Sequence, residues 1–77
     1  MTKHDMAKDI QQALSRAGYE VKVAEIVSAF PTGRGHFSRY LYGVWYHYDN
    51  TAMVLSVLRK RGVDPIPTRG QLSLHLH

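Results

Sequence analysis

Residues 23–44 constrain the chain most, because two amphipathic segments flank a stretch that no regular helix or strand tolerates. On the first side, Val23, Ile26, Val27 and Phe30 recur at spacings of three, one and three, a single face of a 3.6-residue period. Pro31 stops that helix, since proline disfavours the helical conformation of the residue before it and has no amide hydrogen to donate. Thr32-Gly33-Arg34-Gly35 then supplies two glycines around a cation, a backbone suited to an unusual reversal. On the second side a helix over about Gly35–Tyr42 places Phe37, Tyr40, Leu41 and Val44 inward and His36, Ser38, Arg39 and Tyr42 outward. Two short helices joined by a turn, the second turned outward, is the helix-turn-helix arrangement, in which the outward helix is free to enter a nucleic-acid groove.

The remaining residues read as support for that pair. Thr2 or Asp5 caps a first helix ending near Ala17, with Met6, Ile10, Ala13, Leu14 and Ala17 as its apolar stripe and Gly18 as its stop. Residues 19–23 alternate too briefly to separate a strand from a connector, and a connector is preferred. In the aromatic stretch 43–50, Trp45 is assigned to the core, whereas Tyr46 and Tyr48 are free either to close the core or to stack on bases. Asn50 caps a last helix, Thr51–Arg61, with Ala52, Val54, Leu55 and Leu58 inward. Gly62 ends it, and Asp64-Pro65-Ile66-Pro67 makes an extended exit. Leu72, Leu74 and Leu76 alternate with Ser73, His75 and His77, a period that suits an edge strand, a dimer contact or a frayed end alike. The expected fold is mainly α: a four-helix helix-turn-helix domain over residues 1–65 with an elongated turn, a tail over 66–77, and room for a short strand near the C-terminus.

A chain of 77 residues is one domain. It contains no Cys, so no disulfide or thiolate metal site can staple it, and packing must hold it together. No apolar run reaches the length of a membrane span and the N-terminus has no apolar signal core, so a cytoplasmic protein with no membrane partner is expected. Charge is unevenly spread. Residues 1–25 carry four basic and four acidic groups, whereas the rest carry six basic (Arg34, Arg39, Arg59, Lys60, Arg61, Arg69) against Asp49 and Asp64, which is the entire excess of +4. That distribution favours a polyanionic partner. Five histidines invite a metal or acid–base site, but His4, His36, His47, His75 and His77 stand at no recognised ligand spacing, and no phosphate-loop pattern occurs. Neither catalysis nor a cofactor is expected.

The order of capped helix, Ala17-Gly18-Tyr19-Glu20-Val21, second helix, turn, third helix and a last helix ending in Arg61-Gly62-Val63-Asp64-Pro65 resembles the small lambda-repressor-like regulators. It is most similar to the Ner-type transcription regulators of transposable, Mu-like bacteriophages. Laid on that pattern, Ile26, Phe30, Phe37 and Tyr40 take the apolar positions. Val27, Pro31 and Thr32 stand where the pattern has a small residue, a glycine and an apolar residue, so a longer link absorbed by Gly33 and Gly35 is expected. The resemblance implies a sequence-specific double-stranded DNA-binding regulator of phage or mobile-element type in a bacterial host cell, with a homodimer reading two half-sites. It makes Arg34, His36, Ser38, Arg39 and Tyr42 base-reading candidates and leaves Lys22, Thr32, Arg59, Lys60 and Arg61 to phosphates. For Arg59, Lys60 and Arg61 the helix dipole offers an equal, purely structural account.

Two other readings compete. Arg39-Tyr40-Leu41-Tyr42-Gly43-Val44, followed by aromatic residues and Asp49-Asn50, resembles a segment of the ProQ/FinO RNA-chaperone fold, which implies RNA contact by Arg34, Arg39, Tyr42 and Tyr46. A protein-binding adaptor or inhibitor is the other, because Tyr, Trp and Arg also dominate protein interfaces.

Overall fold

Helix α1, Lys3–Arg16, begins at a reciprocal cap: the Asp5 amide donates to Thr2 Oγ1 at 3.1 Å and the Thr2 amide donates to Asp5 Oδ2 at 3.0 Å. The computed structural model describes residues 1–48 and 50–68, and of these the side chains of Val44, His47 and Tyr48 are outside the description. The expectations for Val44, His47, Tyr48 and the alternating tail, with its His75 and His77, therefore lie outside the described residues. Met6, Ala7, Ile10 and Leu14 bury the inner face of α1. Gly18, at φ +95°, turns the chain out of the helix in the left-handed conformation that costs glycine nothing.

Tyr19–Glu20 forms strand β1, not the plain connector expected there, and pairs antiparallel with β2, Ile66–Pro67, in the register Tyr19 to Pro67 and Glu20 to Ile66. The Thr68 amide extends the pairing by donating to Gly18 O at 2.7 Å. The partner comes from the far end of the chain, past the boundary expected at residue 65, so local alternation held no sign of it. Pro67 donates nothing, which a two-stranded sheet tolerates because each strand is an edge.

Helix α2, Val23–Ser28, buries Ile26 completely and is followed by Ala29 as its C-cap and by Phe30, also completely buried. Residues 29–33 then form a five-residue link to the next helix, longer than the three- or four-residue turn of the common motif. The elongated turn is thus present. From Arg34 the chain runs through α3, Arg34–Phe37, a π-helical turn, Ser38–Tyr42, and α4, Gly43–Tyr48. Phe37, Ser38 and Gly43 all keep right-handed helical dihedrals at the joins, so residues 34–48 are one helical rod, longer than the helix expected over 35–42.

The π turn changes which side chains face inward. Phe37 and Leu41 are fully buried as expected, but Tyr40 is 54% exposed and Tyr42 is partly buried against the core. A turn closed by an i→i+5 bond holds an extra residue, which swings the side chain three positions on outward and brings in the one five positions on. Trp45 packs half-buried against the core, in keeping with its assignment. Helix α5, Thr51–Lys60, is capped by Asn50 Oδ1, which accepts from the Met53 amide at 3.0 Å, and it buries Val54, Leu55 and Leu58 but leaves Ala52 exposed. Among the described residues the architecture is mainly α, with four helical segments and one two-stranded sheet, and no helix is long and apolar enough to cross a membrane.

Gly43 donates its amide to Ser38 O, and a Cβ at Gly43 would stand 2.9 Å from that same oxygen, whereas one at Gly35 would meet nothing within 4 Å. Gly43→Ala is expected to destabilise the fold by about 1–3 kcal/mol, because it must open the π turn or distort it. Gly35→Ala should stabilise it by about 0.5–1 kcal/mol through helix propensity. Urea unfolding of the two variants checks both signs.

Candidate nucleic-acid interface

Nine of the ten candidate residues fall into three sets, and His36 lies between the first and the third. In the first set the side chain is turned to the protein's own structure. The Arg61 guanidinium lies over the Phe30 ring, 4.2 Å from its centroid, and donates from Nη1 to Ala29 O at 3.0 Å. Its Nη2 also lies 3.4 Å from His36 Nε2. Tyr42, expected to face outward, points instead toward α1 and donates its hydroxyl to Asp9 Oδ2 at 3.2 Å. Burial, and then the Asp9 hydrogen bond, push the Tyr42 pKa above its ordinary value. Arg34 Nη1 donates to Met1 O at 3.1 Å, and Arg59 forms an exposed ion pair with Asp64 at 3.7 Å.

The second set is exposed or half-exposed but apart from the others. The Lys22 amide donates to Glu25 Oε1 at 3.2 Å, and its side chain stands exposed at the start of α2. Thr32, in the turn, accepts at its carbonyl from Lys3 Nζ at 3.3 Å. Ser38 is half-buried inside the π turn.

Arg39 and Lys60 form the third set. Both are exposed, and among the described residues neither side chain has a hydrogen bond or ion pair. With Tyr40 from the rod and Met53, Ser56 and Val57 from α5 they line an open groove of about 470 Å³. Tyr40, Val57, Lys60 and Arg61 continue it along the α5 end. His36 borders it, its ring 4.7 Å from that of Tyr40. The structure therefore gathers Arg39, Lys60, Arg61 and His36 at one place and leaves Lys22, Thr32, Arg34 and Arg59 elsewhere, outside the lining of this groove.

Tyr40, Met53, Ser56 and Val57 are the groove residues that sequence reasoning passed over. Tyr40 was assigned to the core by α-helical spacing, which the π turn invalidates. A signal for Met53 and Val57 is present in α5, where Ala52, Met53, Val54, Leu55, Val57 and Leu58 are all apolar. That arc is wider than one buried stripe requires, so part of it must face something other than the core. Lys3 was also passed over, because only the fold brings the N-terminus to the turn.

Fold and site together define a small, mainly α-helical domain with a basic, partly apolar groove between its third and last helical segments. Comparison with protein-family models, curated proteins and solved structures found no match to this chain.

Two measurements check the assignments of Arg61 and Tyr42. Arg61→Ala is expected to cost about 1–3 kcal/mol, the sum of a charge-assisted hydrogen bond and a cation–π contact. Arg59→Ala, which loses only an exposed ion pair, should stay within about 0.5 kcal/mol of wild type in the same urea titration. Because the Tyr42 pKa is raised in the folded chain, its contribution is fully present below the ordinary value of about 10.0 and is lost as pH rises through the folded value. Unfolding free energy should therefore fall on alkaline titration above about pH 10, and Tyr42→Phe should remove part of that fall.

Proposed function

We propose that the chain is a sequence-specific DNA-binding transcription regulator of the phage or mobile-element type, with α2 and the rod over residues 34–48 as its helix-turn-helix. Support for this reading rests on one observation above the others: Arg39 and Lys60 are exposed, adjacent across one groove, and without a partner among the described residues. A guanidinium with all its donors free is the group that reads guanine bidentately in the major groove, and an ammonium beside it suits a neighbouring phosphate. The backbone at Gly33 and Gly35 is open, with nothing within 4 Å of where a Cβ would be, so a phosphate can approach the turn closely. As a homodimer, two such rods would read successive half-sites. The RNA-chaperone reading remains the alternative: it shares Arg39 and Tyr42 with the DNA reading, and the bond that holds the Tyr42 hydroxyl to Asp9 removes that contact from both.

Selection from random duplexes, followed by gel shifts with duplex DNA, single-stranded DNA and structured RNA at two salt concentrations, tests the proposal. Duplex DNA is expected to bind most tightly, with affinity falling steeply with salt. Arg39→Ala should cost about 1–3 kcal/mol on the selected site and relax the preference at one base pair. Lys60→Ala should weaken all duplexes alike and reduce the salt slope by about 1. An unchanged affinity for the double variant would place the interface elsewhere.

A further inference from the structure

We propose that the groove between the rod and α5 is a docking site for an acidic amphipathic helix of a partner protein. The groove combines two features that a phosphate backbone alone does not use together. Its rim carries Arg39 and Lys60 with no acidic side chain among its lining residues, and its body is apolar: the Tyr40 ring at 54% exposure, Met53 at 47%, and Val57 half-buried between them. Phosphates gain nothing from a thioether or a valine, whereas apolar side chains that leave water do. Methionine adapts its unbranched side chain to whatever apolar group arrives.

The spacing of the wall specifies the occupant's form. Met53, Val57 and Lys60 follow one another by four and three residues along α5, a row of about 10 Å at the helical rise. A helix laid beside that row meets it with anchors at i, i+3 or i+4, and i+7, the helix-in-groove mode of peptide recognition. Its apolar anchors would settle against Met53, Val57 and Tyr40, and Asp or Glu flanking them would face Arg39 and Lys60.

Charge argues against the two other occupants the chain itself offers. A second copy related by two-fold symmetry would bring Arg39 and Lys60 close to their own images, with no acidic side chain among the groove's lining residues to separate them. Residues 69–77 contain no Asp or Glu and add Arg69, so that segment also lacks the complement. An acidic helix from another protein satisfies both the rim and the floor. The inference goes beyond the DNA reading and stands without it, although both use Arg39 and Lys60.

The test uses the full chain with labelled Met and Val methyl groups and two synthetic helical peptides of about 15 residues. Both carry Leu and Phe at i, i+4 and i+7; one has Glu at its flanking positions and the other has Lys. The Glu peptide is expected to bind with a Kd on the order of 10 µM, to shift the Met53 and Val57 methyl resonances, and to bind at least about ten-fold more tightly than the Lys peptide. Met53→Glu, at an exposed position, should weaken the Glu peptide at least about ten-fold while leaving the far-UV circular dichroism unchanged. Equal affinity for the two peptides, or binding that leaves the Met53 and Val57 methyls unmoved, overturns the proposal. The wild-type methyl shifts decide the matter even if Met53→Glu unfolds. Titration with duplex DNA in a separate sample keeps the two readings apart: loss of DNA binding with the Glu peptide still bound sinks the DNA reading only, whereas DNA that shifts the Met53 and Val57 methyls when the Glu peptide does not would assign the groove to nucleic acid and refute the docked helix.

Discussion

The Phe30 ring is fully buried, met edge-on by Phe37 at 5.1 Å and 86°, and covered on a face by the Arg61 guanidinium at 4.2 Å. An aromatic ring offers a positive edge and a negative face, so edge-to-face packing and a cation over the face exploit the same quadrupole. Phe30 sits at the first residues of the turn, Phe37 on the rod and Arg61 at the end of α5. Three segments with no strand or disulfide between them are fixed at one ring. This explains how a five-residue link can hold two helices at a defined angle. The constraint that a short turn would supply is supplied here by a side chain anchored in the core, and Arg61 Nη1 closes the arrangement on Ala29 O.

The far end of the link is held differently. Lys3 donates to Thr32 O and Arg34 donates to Met1 O, so the N-terminal residues and the turn exchange one bond in each direction. Both bonds are exposed and weak next to the Phe30 cluster. The start of the turn is thus anchored in the core, whereas the hydrogen bonds at its glycine-flanked end are exposed ones.

Features written in neighbouring residues were legible from the sequence. Thr2, Gly18, Pro31, Asn50 and Gly62 cap or stop helices by local chemistry, and each element they bound lies where they place it, to within a residue or two. The buried stripes of α1 and α5 follow the same logic at Met6, Ile10, Leu14, Val54, Leu55 and Leu58, whereas Ala17 and Ala52, expected in those stripes, are exposed. What the residues did not disclose depends on the whole fold or on a departure from α-helical period. The β1–β2 pair joins residues 46 to 48 positions apart, a separation at which strand periodicity says nothing. The π turn is one inserted residue within an otherwise helical pattern, and it was enough to exchange Tyr40 and Tyr42 between surface and interior. Gly43 is the trace it leaves in the sequence, a glycine in mid-helix where a side chain would press on Ser38 O. The candidate site was legible as a charge excess beyond residue 26 but not as a place, because composition counts cations without assigning them tasks.

Those tasks separate once hydrogen bonds are considered together with charge. Arg61 and Arg34 each donate through Nη1 to a neutral carbonyl, which engages part of the guanidinium but does not cancel its charge; of the arginines among the described residues, only Arg59 faces a carboxylate, that of Asp64. Toward any polyanion or acidic segment, Arg34 and Arg61 still contribute to the attractive field, which decays over about 8–10 Å at ordinary ionic strength. Arg61, held over the Phe30 ring and bonded to Ala29 O, is poorly placed to distinguish one partner from another, because discrimination needs donors free to pair with a particular acceptor. Arg39 and Lys60 have such donors. In the proposed binding roles, affinity for an anionic partner is spread over the basic surface, while selectivity is concentrated on two side chains beside Tyr40 and Met53. On that proposal, changes at Arg39 or Lys60 would act on which partner is chosen, whereas changes at Arg61 would act on whether the domain holds its shape.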